Sequence, residues 1–297
     1  MFRRILVAII IVSKIQASAM EPTKIVNGLA MYKIGSGEPL FVVPYPHAGT
    51  FVSIADDEIT KMILSTGKSV ITFDPPGAYN STRPARVDMQ EMLDCINETL
   101  KEFVIAQPID MLGHSMGSFC ALAYAIYFPE KVNRLVLVGC TSGWGQQKKY
   151  GVHTSWKWWR HKQFWQSRYW GTKNYLGISN LATYNKLNNI VFEASFVDKK
   201  YFRPFPINKG DKKLDIPTRG KWLKNVSKYD YHNRLDSTHL PVLICAGKHD
   251  VQTPLIMNLQ LHEKIKNSKL IAFENSGHFP FMEEGDVFKN TIKDFLK

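Results

Sequence analysis

Cysteine is sparse in this 297-residue chain: Cys95, Cys120, Cys140 and Cys245 are its four, and no two share the C-x-x-C spacing of a metal or redox site. A disulfide scaffold and a zinc-ribbon fold are therefore excluded, and the four read as small hydrophobes inside helices and strands. Internal repeats and low-complexity tracts are absent too, which excludes a solenoid. The apolar run at residues 5–12 is too short to span a bilayer as a stable helix. "GSG" at residues 35–37 precedes no helix and lacks the rest of a dinucleotide fingerprint.

Acidic residues are scarce in one stretch. Residues 141–235 hold 19 Lys/Arg against 5 Asp/Glu, a local balance of +14 within a total of +12. The flanks are close to neutral, with 19 against 21. All seven tryptophans lie in the same stretch, at positions 144, 156, 158, 159, 165, 170 and 222. Such a shift in composition marks a separate structural unit.

The N-terminus supports two readings. Residues 1–19 carry two arginines, the apolar run and Ala17-Ser18-Ala19, which together look like a secretory signal with its cleavage site. Equally, Met20 opens the folded part, and residues 1–19 are then a mis-assigned start. The first reading implies a secreted protein and the second a cytoplasmic one.

What the chain does contain is a series of short apolar runs alternating with helical patterns. "SVITFD", "IDMLGH", "RLVLVGC", "PVLICAG" and "KLIAFE" are continuous enough to be strands covered on both faces. Met89, Leu93, Ile96, Leu100 and Phe103 share one helical face, and so do Val287, Phe288, Ile292, Phe295 and Leu296. "GLAMYKI" and "PLFVVPY" around "GSGE" suggest an antiparallel pair. The alternation predicts an α/β fold, a doubly wound, mostly parallel sheet flanked by helices. Residues 20–140 and 236–297 form its core, and 141–235 a basic, Trp-rich lid inserted between strands 6 and 7.

Within this frame, "DMLGHSMGSFC" sets Ser115 between Gly113 and Gly117, with a strand before it and a helix after. A hydroxyl raised on so sharp a turn needs neighbours without Cβ atoms. A serine also needs a base, and His278 in "ENSGHFPFMEE" follows the last strand. The base needs a carboxylate, and Asp250 in "AGKHDVQTP" follows the strand before that. Each residue alone has a bland reading as loop, surface or helix-start residue. Three at strand ends in this order predict a triad.

Together with "FDPPGAYNSTRP" and "FPEKVNRLVLVG", these stretches resemble the α/β-hydrolase family, in its lid-bearing branch, from about residue 26 to the end. Tyr79 stands where the family usually has a glycine. The resemblance implies a serine hydrolase acting through Ser115, His278 and Asp250, without metal or organic cofactor. The N–H of Met116 is its expected oxyanion donor, and Ala48 of "PHAG" the second, ahead of His47, because Pro46 has no N–H. Ester hydrolysis leads. The alternatives are a proline iminopeptidase-like aminopeptidase, demoted because Glu193 is the lid's single glutamate, and a hydrolase-like ligand-binding receptor. Carbon–carbon bond hydrolysis and cofactor-free haloperoxidase chemistry share the same residues. The expected partner is a small molecule with an apolar or aromatic acyl part. The basic lid also offers contact with an acidic membrane face, and nucleic acid is not expected. The tryptophans serve either the acyl group or the lid's own core.

Overall fold

The computed structural model describes residues 20–46, 52–84, 86, 88–106, 108–151, 162–204, 216, 222 and 224–297. The proposed leader at 1–19, His47, Ala48 and the tryptophans at 156, 158 and 159 lie outside the described residues.

Among the described residues eight strands make one sheet: β1 (Lys24–Val26), β2 (Leu29–Ile34), β3 (Pro39–Val43), β4 (Ser69–Phe73), β5 (Ile109–His114), β6 (Val132–Val138), β7 (Val242–Gly247) and β8 (Ser268–Phe273). Their order is β1-β2-β4-β3-β5-β6-β7-β8. From β4 to β8 every pair is parallel, while β1 and β2 are antiparallel additions at one edge. β2 and β3 do not pair with each other, contrary to the hairpin expected around "GSGE". β4 lies between them, and β2 is antiparallel to β4 instead. The glycine turn reverses the chain but leaves room for a third strand.

Both faces of the sheet are covered, which is why its strands read as continuous apolar runs. Alternate residues serve opposite cores. Ile71, Met111, Leu135, Leu137 and Ile244 pack with α2 (Met89–Glu102), α3 (Met116–Tyr127) and Leu261 of α7 (Leu255–Lys264). Val70, Leu112, Val136, Val138 and Leu243 pack with α1 (Glu58–Ser65), α8 (Pro280–Glu283) and α9 (Gly285–Phe295). Each fully buried aliphatic or aromatic side chain contributes roughly 1.5–3 kcal/mol. Of the apolar face expected on the last helix, Phe288 and Ile292 are buried, but Val287 is exposed. All four cysteines are buried and free, although Cys140 lies just past β6 rather than inside it.

Between β6 and β7 the described helices are α4 (Trp144–Tyr150), α5 (Lys162–Tyr175) and α6 (Leu181–Ala194). The two ends of this insertion clasp each other. Tyr231 N–H donates to Ser142 O at 2.7 Å, and Gly145 N–H to the Asp230 carboxylate at 2.8 Å. Among the described residues no helix is long and apolar enough to cross a membrane.

Candidate active site

Parallel strands deliver their carboxyl ends to one rim, and three loops of interest leave that rim after β5, β7 and β8. The turn after β5 is the tightest. Ser115 sits at φ +53°, ψ −122°, a left-handed conformation that costs a non-glycine residue on the order of 1–3 kcal/mol. Its N–H is held by Val138 O of β6 at 2.8 Å, and its own carbonyl accepts from Phe119 N–H in the first turn of α3. The two glycines are steric necessities. A Cβ on Gly113 would collide with the backbone of Gly117 and Ser118, and one on Gly117 would lie 2.5 Å from Val43 O in β3. The α3 backbone therefore runs against β3, with Ser115 at its N-terminus. Met116 N–H, the first of α3, has no acceptor inside its own helix.

The loops after β7 and β8 meet. His278 Nδ1 lies 2.6 Å from Asp250 Oδ2, with both side chains buried. Asp250 is fully engaged: Oδ1 accepts from Gln252 and Thr253 N–H at 2.7 and 2.9 Å, and Oδ2 also accepts from the Thr253 hydroxyl at 2.7 Å. Burial alone would raise this carboxyl. The charge and hydrogen bond of His278 outweigh it, with help from Thr253, and hold the group below its ordinary value. A carboxylate at Nδ1 fixes the proton there, so the neutral ring presents a lone pair at Nε2. That Nε2 is buried and has no hydrogen-bond partner among the described residues. The ring packs over the end of β6, where a Cβ on Gly139 would come within 3.1 Å of its Nδ1 and Cε1. The Asp250–His278 half of the expected triad is thus in contact. Ser115 and His278 lie at one rim without a hydrogen bond between them.

Four further residues shape the site and were not singled out from the sequence. His114 donates Nε2–H to His278 O at 2.8 Å and accepts at Nδ1 from Tyr45 Oη at 2.6 Å. Because a carbonyl can only accept, this tautomer follows from the geometry. Burial, and then the neighbouring His278, push the His114 pKa well below its ordinary value, so its ring is neutral. Thr253, three residues after Asp250, locks that carboxylate. Glu283 accepts from Gly277 N–H with one oxygen at 2.7 Å and from Val197 and Asp198 N–H with the other. Ser195 O accepts His278 N–H at 2.8 Å, and Ser195 Oγ accepts from Gln252 Nε2 at the same distance. The end of α6 is therefore bound directly to the histidine loop. Phe279 stacks on Phe196 from that segment at 4.5 Å, so apolar surface beside His278 comes from phenylalanine. Of the tryptophans, Trp222 is buried in the hydrophobic core, and Trp165 faces outward.

Other polar features of the rim have structural explanations. Asp74, at the head of "DPPGAYNS", accepts from Tyr32 Oη at 2.7 Å, Ser53 Oγ at 2.5 Å and Asn80 N–H at 3.0 Å, and so braces its own turn. A surface hollow of about 360 Å³ between α1 and α9, lined by Lys61, Met62, Ser65, Tyr201 and Phe281, has no histidine among the described residues that line it.

A family model described as the alpha/beta hydrolase fold matches residues 56–285. A proline iminopeptidase of Lactobacillus delbrueckii subsp. bulgaricus is 25% identical over 256 residues, covering 78% of this chain and 81% of that protein. A 2-hydroxy-6-oxononadienedioate/2-hydroxy-6-oxononatrienedioate hydrolase of Pseudomonas putida is 26% identical over 251 residues, covering 79% of each. Among solved structures, an alpha/beta fold family hydrolase from Bacillus anthracis superposes with a TM-score of 0.70 at 23% identity, over 91% of this chain and 96% of that one. The chain belongs to the alpha/beta hydrolase fold family.

Proposed function

We propose that this protein is a serine hydrolase that cleaves a carboxylic ester, or a related acyl bond, through an acyl-enzyme. The observation that carries the reading is His278, bonded to Asp250 at Nδ1 and left with a buried, partnerless Nε2 at the rim where Ser115 is raised. In the proposed reaction, Ser115 Oγ attacks the substrate carbonyl as His278 Nε2 takes its proton. Asp250 stabilises the imidazolium. Met116 N–H and Ala48 N–H receive the oxyanion. The imidazolium then protonates the leaving alcohol, and water activated by the same histidine releases the acid. Serine–histidine hydrogen bonds are often long in ligand-free hydrolases and tighten when substrate binds, consistent with the open contact here. The insertion acts as a lid, and Phe192, Phe196 and Phe279 favour an apolar acyl group.

A second reading, aminopeptidase action, is favoured by the likeness to the proline iminopeptidase. A panel of p-nitrophenyl esters and aminoacyl arylamides, assayed with wild type and Ser115→Ala, separates the two. The expected result is turnover of medium-chain esters, lowered at least ~10³-fold by Ser115→Ala. Faster turnover of a prolyl arylamide than of any ester would favour the peptidase. Turnover of neither, with Ser115 still reactive, would favour a ligand-binding receptor.

A further inference from the structure

Helix α5 wears its polarity inside out. Its inner face buries Ser167 and Asn174 completely or nearly so, with Phe164 as the apolar exception. Its outer face carries Trp165 at 63% exposure, Tyr169 at 56% and Leu176 at 63%. Leu176 N–H still bonds to Thr172 O at 3.0 Å, so helical geometry reaches that residue. Steps of four and seven set the three in one stripe, and Ile178, 65% exposed, follows in the turn. A helix facing water is expected to turn such residues inward.

Cations border the stripe. Arg168 and Lys173 lie on either side of it on α5, which has no acidic residue. The Lys173 ammonium stands 4.7 Å above the Tyr169 ring, and Lys186 of α6 stands 5.1 Å from the Trp170 ring. Exposed Trp, Tyr and Leu bordered by Lys and Arg is the chemistry of a surface that enters a headgroup layer, with rings at the interface and cations on the phosphates. The +14 balance of the whole insertion makes an anionic partner favourable. The same charge opposes a second copy of the chain, because two such faces repel.

We propose that the outer face of α5 docks the protein on an anionic lipid surface. Trp165, Tyr169, Leu176 and Ile178 enter the headgroup region, while Arg168, Lys173 and Lys186 meet lipid phosphate. Docking through α5 is independent of the substrate site, so binding can be tested whatever the enzyme hydrolyses.

The test is co-sedimentation of the full chain with vesicles of phosphatidylcholine alone, or with about 30% phosphatidylserine added. Partitioning is expected to be at least about tenfold stronger on the anionic vesicles and to weaken at about 0.5 M salt. Trp165→Ala combined with Leu176→Ala, and separately Arg168→Gln combined with Lys173→Gln, should each lower it about tenfold, while hydrolysis of a soluble ester stays unchanged. Equal partitioning on both vesicle types, or apolar-stripe variants that bind like wild type, would overturn the proposal. A wild-type dimer that becomes monomeric in those variants would overturn it in favour of a second copy. Stripe-dependent binding to an acidic polypeptide in place of the vesicles would overturn it in favour of a protein partner.

Discussion

Ser115 and His114 are adjacent residues with opposite relations to solvent and charge. The serine is raised on a strained backbone at the start of α3, whereas the histidine beneath it is buried, neutral and bonded at both nitrogens. His114 is held neutral in the fold but takes a proton when unfolded. The stability this neutrality confers is present above pH 6.5 and is lost as pH falls below it, by about 1.4 kcal/mol per pH unit. Asp57, raised by burial from 3.8 to about 6, acts in the opposite sense, because the fold retains its proton between about pH 4 and 6. Comparing His114→Gln with wild type isolates the histidine. Urea unfolding from pH 7.5 to 5 should show the wild type losing stability relative to the variant, and parallel curves would refute the buried neutral ring. At this scale the sequence singled out Ser115, Asp250 and His278 by type and position, and the structure brings Asp250 and His278 into contact. It was silent on His114, because a histidine between glycine and serine reads the same whether it faces solvent or core. Tyr79 was legible only as an oddity. The structure supplies the reason for a glycine there: its φ is +50°, a conformation that disfavours a side chain.

At the level of elements, the site depends on how closely backbones approach. α3 packs against β3 without a side chain between them at Gly117, and β3 is locked between β4 and β5. Gly117→Ala therefore cannot be relieved by a rotamer change, and it should cost at least ~2 kcal/mol in chemical unfolding. A neutral result would mean that β3 yields. Glu283 bridges the histidine loop and the end of α6 through three N–H groups, and glutamine cannot accept with both side-chain heteroatoms. Glu283→Gln should lower kcat for a p-nitrophenyl ester by about tenfold, near the worth of one hydrogen bond to a charged group. An unchanged kcat would show that the loop holds without this bracket. The parallel strands and helices were readable from period and length. The β2–β4 pairing was not, since a glycine turn between two apolar runs looks the same whether or not a third strand comes between them. Thr253, three residues after Asp250, carried a readable signal, the short-range capping of a carboxylate.

Across the whole molecule, charge and chemistry are segregated. The near-neutral α/β core carries the serine, the histidine and the carboxylate, while the cations and tryptophans gather in the insertion between β6 and β7. Composition made that division visible, but not the direction in which the aromatic side chains point. Trp222 went into the core and Trp165 outward, so hydrophobicity alone does not decide which tryptophans of the insertion are covered. In the proposed reaction Ser115 becomes a nucleophile because His278, aligned by Asp250, removes its proton. Mass spectrometry after incubation with a fluorophosphonate tests it most directly. A single phosphonyl adduct on Ser115 is expected, formed at least ~10³-fold more slowly in His278→Ala. A protein that stays unmodified, or one whose adduct forms on another residue or at the same rate without the imidazole, would contradict it.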